Sequence, residues 1–192
     1  MTIRRLFFVL VSALLLLCSY AVAAEKADLK SGPRAGDNLP GPFQALVAYS
    51  DQARLVGTRN DYTEMYGPNP VVLVFAREMT KSLTKLVNQL DAEAAKHKST
   101  RLGIVVVFLS DDYALEGKLK ELGEKQGIKH VNLAIMAPDG AKLYKLSKEA
   151  EVTVLLYKRR KVEANHAFKK GELSAAGRES ILDDVPKIAS KQ

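Results

Sequence analysis

The sequence predicts a single α/β domain: a central mixed sheet flanked by helices, closed by a C-terminal β-hairpin and a helix. Three observations lead there. Val71-Val72-Leu73-Val74-Phe75 and residues 103–109 are continuous apolar, β-branched runs without alternation, the pattern of strands buried on both faces. Between them Leu83, Leu86, Val87, Leu90 and Ala94 recur at helical spacing, so a helical crossover joins the two strands in parallel. Residues 152–157 and 161–168 are separated only by Lys158-Arg159-Arg160, a connection that forces an antiparallel pair. A doubly wound sheet that alternates strand and helix to its end is thereby disfavoured.

The elements follow in order. Residues 1–24 read as a secretory signal peptide: Arg4 and Arg5 form the basic region, residues 6–17 the apolar region, and Ala21-Val22-Ala23 the small-residue cleavage site. The apolar run is short for a membrane span, and Leu17 stands where a lipoprotein anchored at Cys18 needs a small residue. Export to a periplasm or to the outside is expected, with no stable membrane span after cleavage. Residues 25–42, with Ser31-Gly32-Pro33 and Pro40-Gly41-Pro42, read as a polar linker, and the domain is expected over 43–190. Residues 43–48 and 54–58 read as short strands around a turn at Ser50-Asp51-Gln52, and 59–69 as a loop. Thr80 is placed to cap the first long helix. Ser110-Asp111-Asp112 opens a second, which Gly127 ends. Residues 131–136 form a third strand, stopped by Pro138-Asp139-Gly140. A last helix starts near Ser174, and Pro186 is expected to end or kink it.

Composition removes several chemistries. Of 192 residues one is a cysteine, Cys18, and it falls in the expected leader. The mature chain then has no disulfide, no cysteine metal ligand and no thiol nucleophile. His97, His130 and His166 lie on different elements without metal-motif spacing, so neither a metal nor another cofactor is expected. The formal charge of +7 reads chiefly as a solvated surface. Its one dense cluster, Lys158-Arg159-Arg160-Lys161, offers a lesser route to an acidic polymer.

Gly36-Asp37-Asn38-Leu39-Pro40 followed by Phe43, the strand Val71-Val72-Leu73-Val74-Phe75, and Val152-Thr153-Val154-Leu155-Leu156-Tyr157 occur in the order and spacing of one family. Over residues 36–188 the chain resembles the thioredoxin-like superfamily, on the side of the peroxiredoxins and thiol-disulfide interchange proteins. That resemblance implies a redox Cys-x-x-Cys, or a peroxidatic cysteine, just after the strand. The window here is Thr80-Lys81-Ser82-Leu83. Val152 stands at the position of the family's cis-proline, and an ordinary trans peptide is expected there. Tyr66-Gly67 and Pro70-Val71-Val72 also resemble a subgroup of exported bacterial proteins with a Cys-x-x-Cys ahead of them, where this chain has Asp61 and Glu64.

The resemblance implies a site at the carboxyl end of residues 71–75. Arg77, Glu78 and Lys81 lie there, at a helix amino terminus able to hold an anion; the competing reading pairs Arg77 with a nearby acid. Tyr62, Glu64, Met65 and Tyr66 are expected as a lip beside that end, or else as a loop pinned to the core. The expected function is a redox-inactive protein- or peptide-binding module, with thiol-disulfide exchange and peroxidase activity absent. The alternative is an enzyme working through Arg77, Glu78 and Asp61 or Glu64.

Overall fold

The structure is a computed structural model that describes residues 29–190. The leader expected over 1–24 and the first residues of the expected linker lie outside the described residues. Seven strands form one sheet: β1 (Gln44–Tyr49), β2 (Arg59–Asp61), β3 (Val71–Ala76), β4 (Gly103–Leu109), β5 (Val131–Met136), β6 (Ala150–Lys158) and β7 (Lys161–Lys169). Their order is β2-β1-β5-β4-β3-β6-β7. β3, β4 and β5 run parallel, and every other pairing is antiparallel. The helices are α1 (Tyr62–Tyr66), α2 (Lys81–Lys96), α3 (Leu115–Gln126) and α4 (Ala175–Ala189).

β3 and β4 are buried along their whole length, as their unbroken apolar runs require. Alternate side chains enter two different cores. Val72 and Val74 meet Leu83, Leu86, Leu119, Ile181 and Val185, so the three long helices cover one face. This follows from the chain stepping twice in the same direction, β3 to β4 to β5, through crossovers of one hand. Leu73 and Phe75 point into the other core, where Phe43, Tyr62, Tyr144 and Tyr157 take the place of a long helix. The Phe43, Phe75 and Tyr144 rings lie 5.1–5.7 Å apart in tilted and edge-to-face contacts.

The structure differs from the sequence reading in several places. The strand expected at 54–58 is a 3-10 turn, Ala53–Leu55, and the strand comes later, as β2. Gly57 at φ 79° turns the chain there, and the Thr58 hydroxyl donates to the Leu55 carbonyl at 2.6 Å. The loop expected at 59–69 holds both β2 and α1. Asp61 caps α1 by accepting from the Thr63 and Glu64 amides at 2.9 and 3.3 Å. Pro186 lies inside α4 without ending it, because buried Ile188 and Ala189 hold the last turn to the sheet.

Residues 31–41, expected within a linker, run along the domain instead. The Gly36 amide donates to the Val162 carbonyl at 2.8 Å, and the Val162 amide to Asp37 at 2.9 Å, extending the sheet beyond β7. Asn165 Nδ2 donates to the Ser31 and Pro33 carbonyls at 2.8 and 2.6 Å. Tyr144 Oη donates to Gly41 at 3.0 Å, tying this strap to the aromatic core. Beyond the strap's own turn between Arg34 and Asp37, its backbone groups are satisfied by an edge strand with groups to spare.

Gly103, the first residue of β4, lies under the Tyr66 ring, and a Cβ there would collide with it. Gly103→Ala is expected to lower stability by about 1–3 kcal/mol, read as a lower urea midpoint at unchanged m-value.

Candidate functional site

β3 delivers the chain to the carboxyl end of the parallel strands, where Ala76 pairs with Val152. The Arg77 amide donates to the Glu151 carbonyl at 3.0 Å. Its guanidinium then reaches across, Nε to the Ala150 carbonyl at 2.9 Å and Nη2 to the Ser147 carbonyl at 3.1 Å. Arg77 is therefore neither an open anion ligand nor paired with an acid: it clamps the segment that leads into β6. That turn exposes carbonyls without ladder partners, and a rigid guanidinium fork supplies several donors at once.

Thr80 caps α2, its hydroxyl accepting from the Leu83 amide at 3.1 Å. Lys81 and Met79 are exposed, Met79 to 40 %. Glu78 meets Lys170 at 2.7 Å, and Glu149 meets Lys169 at 2.8 Å. Both pairs are solvent-exposed and contribute little to stability. Glu151 is 7 % exposed, and its Oε2 has no hydrogen-bond partner. The peptide entering Val152 is trans, as are all those among the described residues. The window Thr80-Lys81-Ser82-Leu83 holds no sulfur, and Cys18 lies outside the described residues.

The second expected group does not join this surface. Tyr62 is fully buried in the aromatic core. Tyr66 stacks on it at 6.1 Å between ring centroids, and its hydroxyl accepts from Asn132 Nδ2 at 2.8 Å. Because it covers Gly103 and meets Asn132, Tyr66 marks the amino ends of β4 and β5, not their carboxyl ends. Only Glu64 and Met65 of this group are exposed. The apolar side of α1 is drawn onto the sheet, so what the sequence offers as a lip is mostly a pin. Burial pushes the Tyr66 phenol up to about 12, opposed by the Asn132 hydrogen bond. Burial also raises Tyr62, Tyr144 and Tyr157, so none of the four is an acid or base near neutrality.

No family model matches the chain, and no curated protein sequence matches it. Solved structures do. A Bacteroides thetaiotaomicron protein described as a candidate protein disulfide isomerase superposes with a TM-score of 0.62 at 14% identity, over 85% of this chain and 96% of its own. Peroxiredoxin Q from Xanthomonas campestris, as a cysteine-to-serine variant, gives 0.57 at 13% identity, over 84% and 100%. A secreted disulfide oxidoreductase of Mycobacterium tuberculosis gives 0.55 at 14% identity, over 76% and 95%. The chain has a thioredoxin-like fold. At these identities the likeness is one of fold alone; the address that the sequence resemblance implies is the carboxyl end of β3 with the start of α2.

Within this thioredoxin-like fold the histidines stand apart from that address. His166 Nε2 meets Asp184 Oδ2 at 2.8 Å, and Asp184 Oδ1 meets Lys187 at 2.6 Å, tying β7 to α4. Sequence reading named His166 but not Asp184, which sits one turn from its partner Lys187. Among the described residues no three His, Cys, Asp or Glu side chains converge to hold a metal.

Two outcomes are expected. Arg77→Ala removes two donors to backbone carbonyls and is expected to cost about 1–3 kcal/mol, with faster hydrogen exchange confined to residues 147–151. Burial raises the Asp184 carboxyl, but hydrogen bonds from Lys187 and His166 outweigh it and hold the group below its ordinary value. Its contribution is present above the unfolded-state value, about 3.9, and is lost as pH falls through the lower folded one. Asp184→Asn is therefore expected to be destabilising at pH 7, with the difference from wild type shrinking as pH falls below about 4, measured by urea titrations across pH.

Proposed function

We propose that this chain is an exported thioredoxin-fold protein that binds protein or peptide segments at the carboxyl end of β3, without thiol chemistry. One observation carries the reading. The strand, the capped start of α2 and the adjoining start of β6 meet at the end of the sheet where the sequence resemblance implies a thioredoxin-type site, while the window at residues 80–83 has no thiol. Thiol exchange and peroxide reduction both need a thiolate. Binding needs only the surface: exposed Met79 between charged Glu78 and Lys81, beside a backbone segment that Arg77 holds fixed. Met65, on the other side of the molecule, is not part of this face. The leader-like residues 1–24 support export. Among the described residues no helix is long and apolar enough to cross a membrane. No cofactor belongs to this reading.

The enzyme alternative gains nothing from the geometry. Asp61 is committed as the α1 cap and Arg77 to carbonyls. β2 and β3 stand four strand spacings apart in the sheet, roughly 19 Å, too far for Asp61 to work with Arg77 and Glu78 on one substrate. Attachment to an acidic polymer through Lys158, Arg159, Arg160 and Lys161 stays a lesser proposal, since these residues form the exposed β6–β7 turn.

The test pairs two assays on the full chain. Reduction of insulin by dithiothreitol is expected to proceed at the no-protein rate. A labelled, permanently unfolded polypeptide is expected to bind, with Met79→Asp and Lys81→Glu each weakening it about fivefold or more and Met65→Asp leaving it unchanged. Turnover above the blank sinks the redox-inactive reading; equal effects of the Met79 and Met65 variants sink the assignment of the face.

A further inference from the structure

The amino end of the sheet carries a second constellation, independent of the site above. A half-open cleft of about 390 Å³ lies where the chain enters β4 and β5. Lys98, Arg101, Lys129 and His130 stand around it. Among the described residues Lys98, Arg101 and Lys129 have no ion pair and no side-chain hydrogen bond. Asp51 is the one carboxylate on the lining. Asp91, close by, is already engaged, accepting the Lys129 and His130 amides at 2.9 and 2.6 Å.

The rest of the lining mixes apolar Ala94, Leu102 and Val131 with polar side chains that are preset. Asn132 and Ser50 are each 8 % exposed, so both are held by packing rather than swung out in solvent. Asn132 Nδ2 donates to Tyr66 Oη, and that phenol's own proton goes to no described group. Ser50 Oγ accepts from the Gln52 amide at 3.1 Å and keeps its proton to donate. Arg101 is held at φ 55°, a left-handed conformation uncommon outside glycine. The lining thus offers several positive charges over a row of fixed hydroxyl and amide groups. Positive charges converge on an oxyanion, and fixed hydroxyl and amide groups suit the hydroxyls of its carrier.

We propose that this cleft binds a hydroxylated ligand carrying a phosphate or sulfate ester. The charged side chains hold the ester group, while Tyr66, Asn132 and Ser50 meet the neighbouring hydroxyls. The attraction is electrostatic and partly exposed, so it weakens as salt rises.

The test is amide chemical-shift titration of the full chain at low salt with four probes: glucose 6-phosphate, glucose 6-sulfate, inorganic phosphate and inorganic sulfate. Which ester binds more tightly identifies the source of the oxyanion. At least one sugar ester is expected to bind with a Kd of about 1 mM or tighter, shifting amides at Tyr66, Arg101, Lys129 and Asn132. Arg101→Gly, which suits the left-handed backbone, and Lys129→Gln are each expected to weaken it about tenfold. Arg160, also left-handed at φ 62°, lies at the same end of the sheet in the β6–β7 turn. Arg160→Gly removes the same charge from the same kind of backbone and is expected to leave the affinity within about twofold. No shift with any probe overturns the proposal, as does an equal loss in Arg160→Gly, which means a diffuse field. Inorganic ions binding as tightly as the esters overturn the part played by the hydroxyls. None of these results bears on peptide binding at the carboxyl end.

Discussion

The rest of the structure depends on the burial of β3 between two neighbours of opposite direction. β4 pairs with it in parallel over all its residues, and β6 pairs antiparallel over the same span. Every side chain of β3 is at most 2% exposed. Burying a Val, Leu or Phe completely stabilises by about 1.5–3 kcal/mol, so this strand concentrates the driving force of the sheet. A strand so placed cannot slip by one residue, because every side chain would change core. Register is therefore fixed along β4, β3 and β6. With it are fixed the positions of Arg77 beside Glu151 and of Thr80 at the head of α2.

The two faces solve their closure differently. Three helices stack on one, each with an ordinary apolar stripe. Among the described residues the other has the short α1, the turns at Ala53–Leu55 and Pro138–Tyr144, and the strap of residues 31–41. Such thin cover has to be made from large rings and from hydrogen bonds to backbone. That explains why Phe43, Tyr62, Phe75, Tyr144 and Tyr157 gather there, and why Ser31 Oγ meets Thr153 Oγ1 at 2.7 Å in the interior. It also explains the fate of Tyr62 and Tyr66. An aromatic pair in a polar segment looks like a binding lip until the face beneath it proves to need filling.

How much of this the sequence discloses varies with the kind of signal. The unbroken runs of β3 and β4, the stripe of α2 and the three-residue connection between β6 and β7 are long-range patterns, and they were legible with their order. The thioredoxin-like fold follows from them and is matched by the solved structures. What was not legible is local or tertiary. Asp61-Tyr62-Thr63-Glu64 carries the capping signal of α1, with Asp at the cap and Glu three residues on, but five residues of helix leave little periodicity to read. The strap looks like a linker because its Gly and Pro exclude a ladder of its own, and nothing local shows that Val162 will accept it. Arg77 next to Glu78 suggests an ion pair, yet the carbonyls it serves are contributed from 70 and 73 residues away. Lys98, Arg101 and Lys129 are brought to one cleft only by the parallel pairing of β4 and β5.

On the proposed reading, the carboxyl end of β3 keeps the place of a thioredoxin-type site without its reagent. What makes that place special in physical terms is the start of α2: amides without intrahelical partners, that of Leu83 taken up by the Thr80 side chain, with Lys81 beside it. A thiolate put at the cap would accept the Leu83 amide and gain from the helix dipole. The most direct measurement is the pH dependence of alkylation of a Thr80→Cys variant, made in a chain lacking Cys18. The account predicts a thiol pKa clearly below the ordinary value of about 8.5, returning to that value when the variant is unfolded in urea. A folded-state value at or above the ordinary one would contradict it, because the start of α2 would then lack the electrostatics of the site it is held to retain.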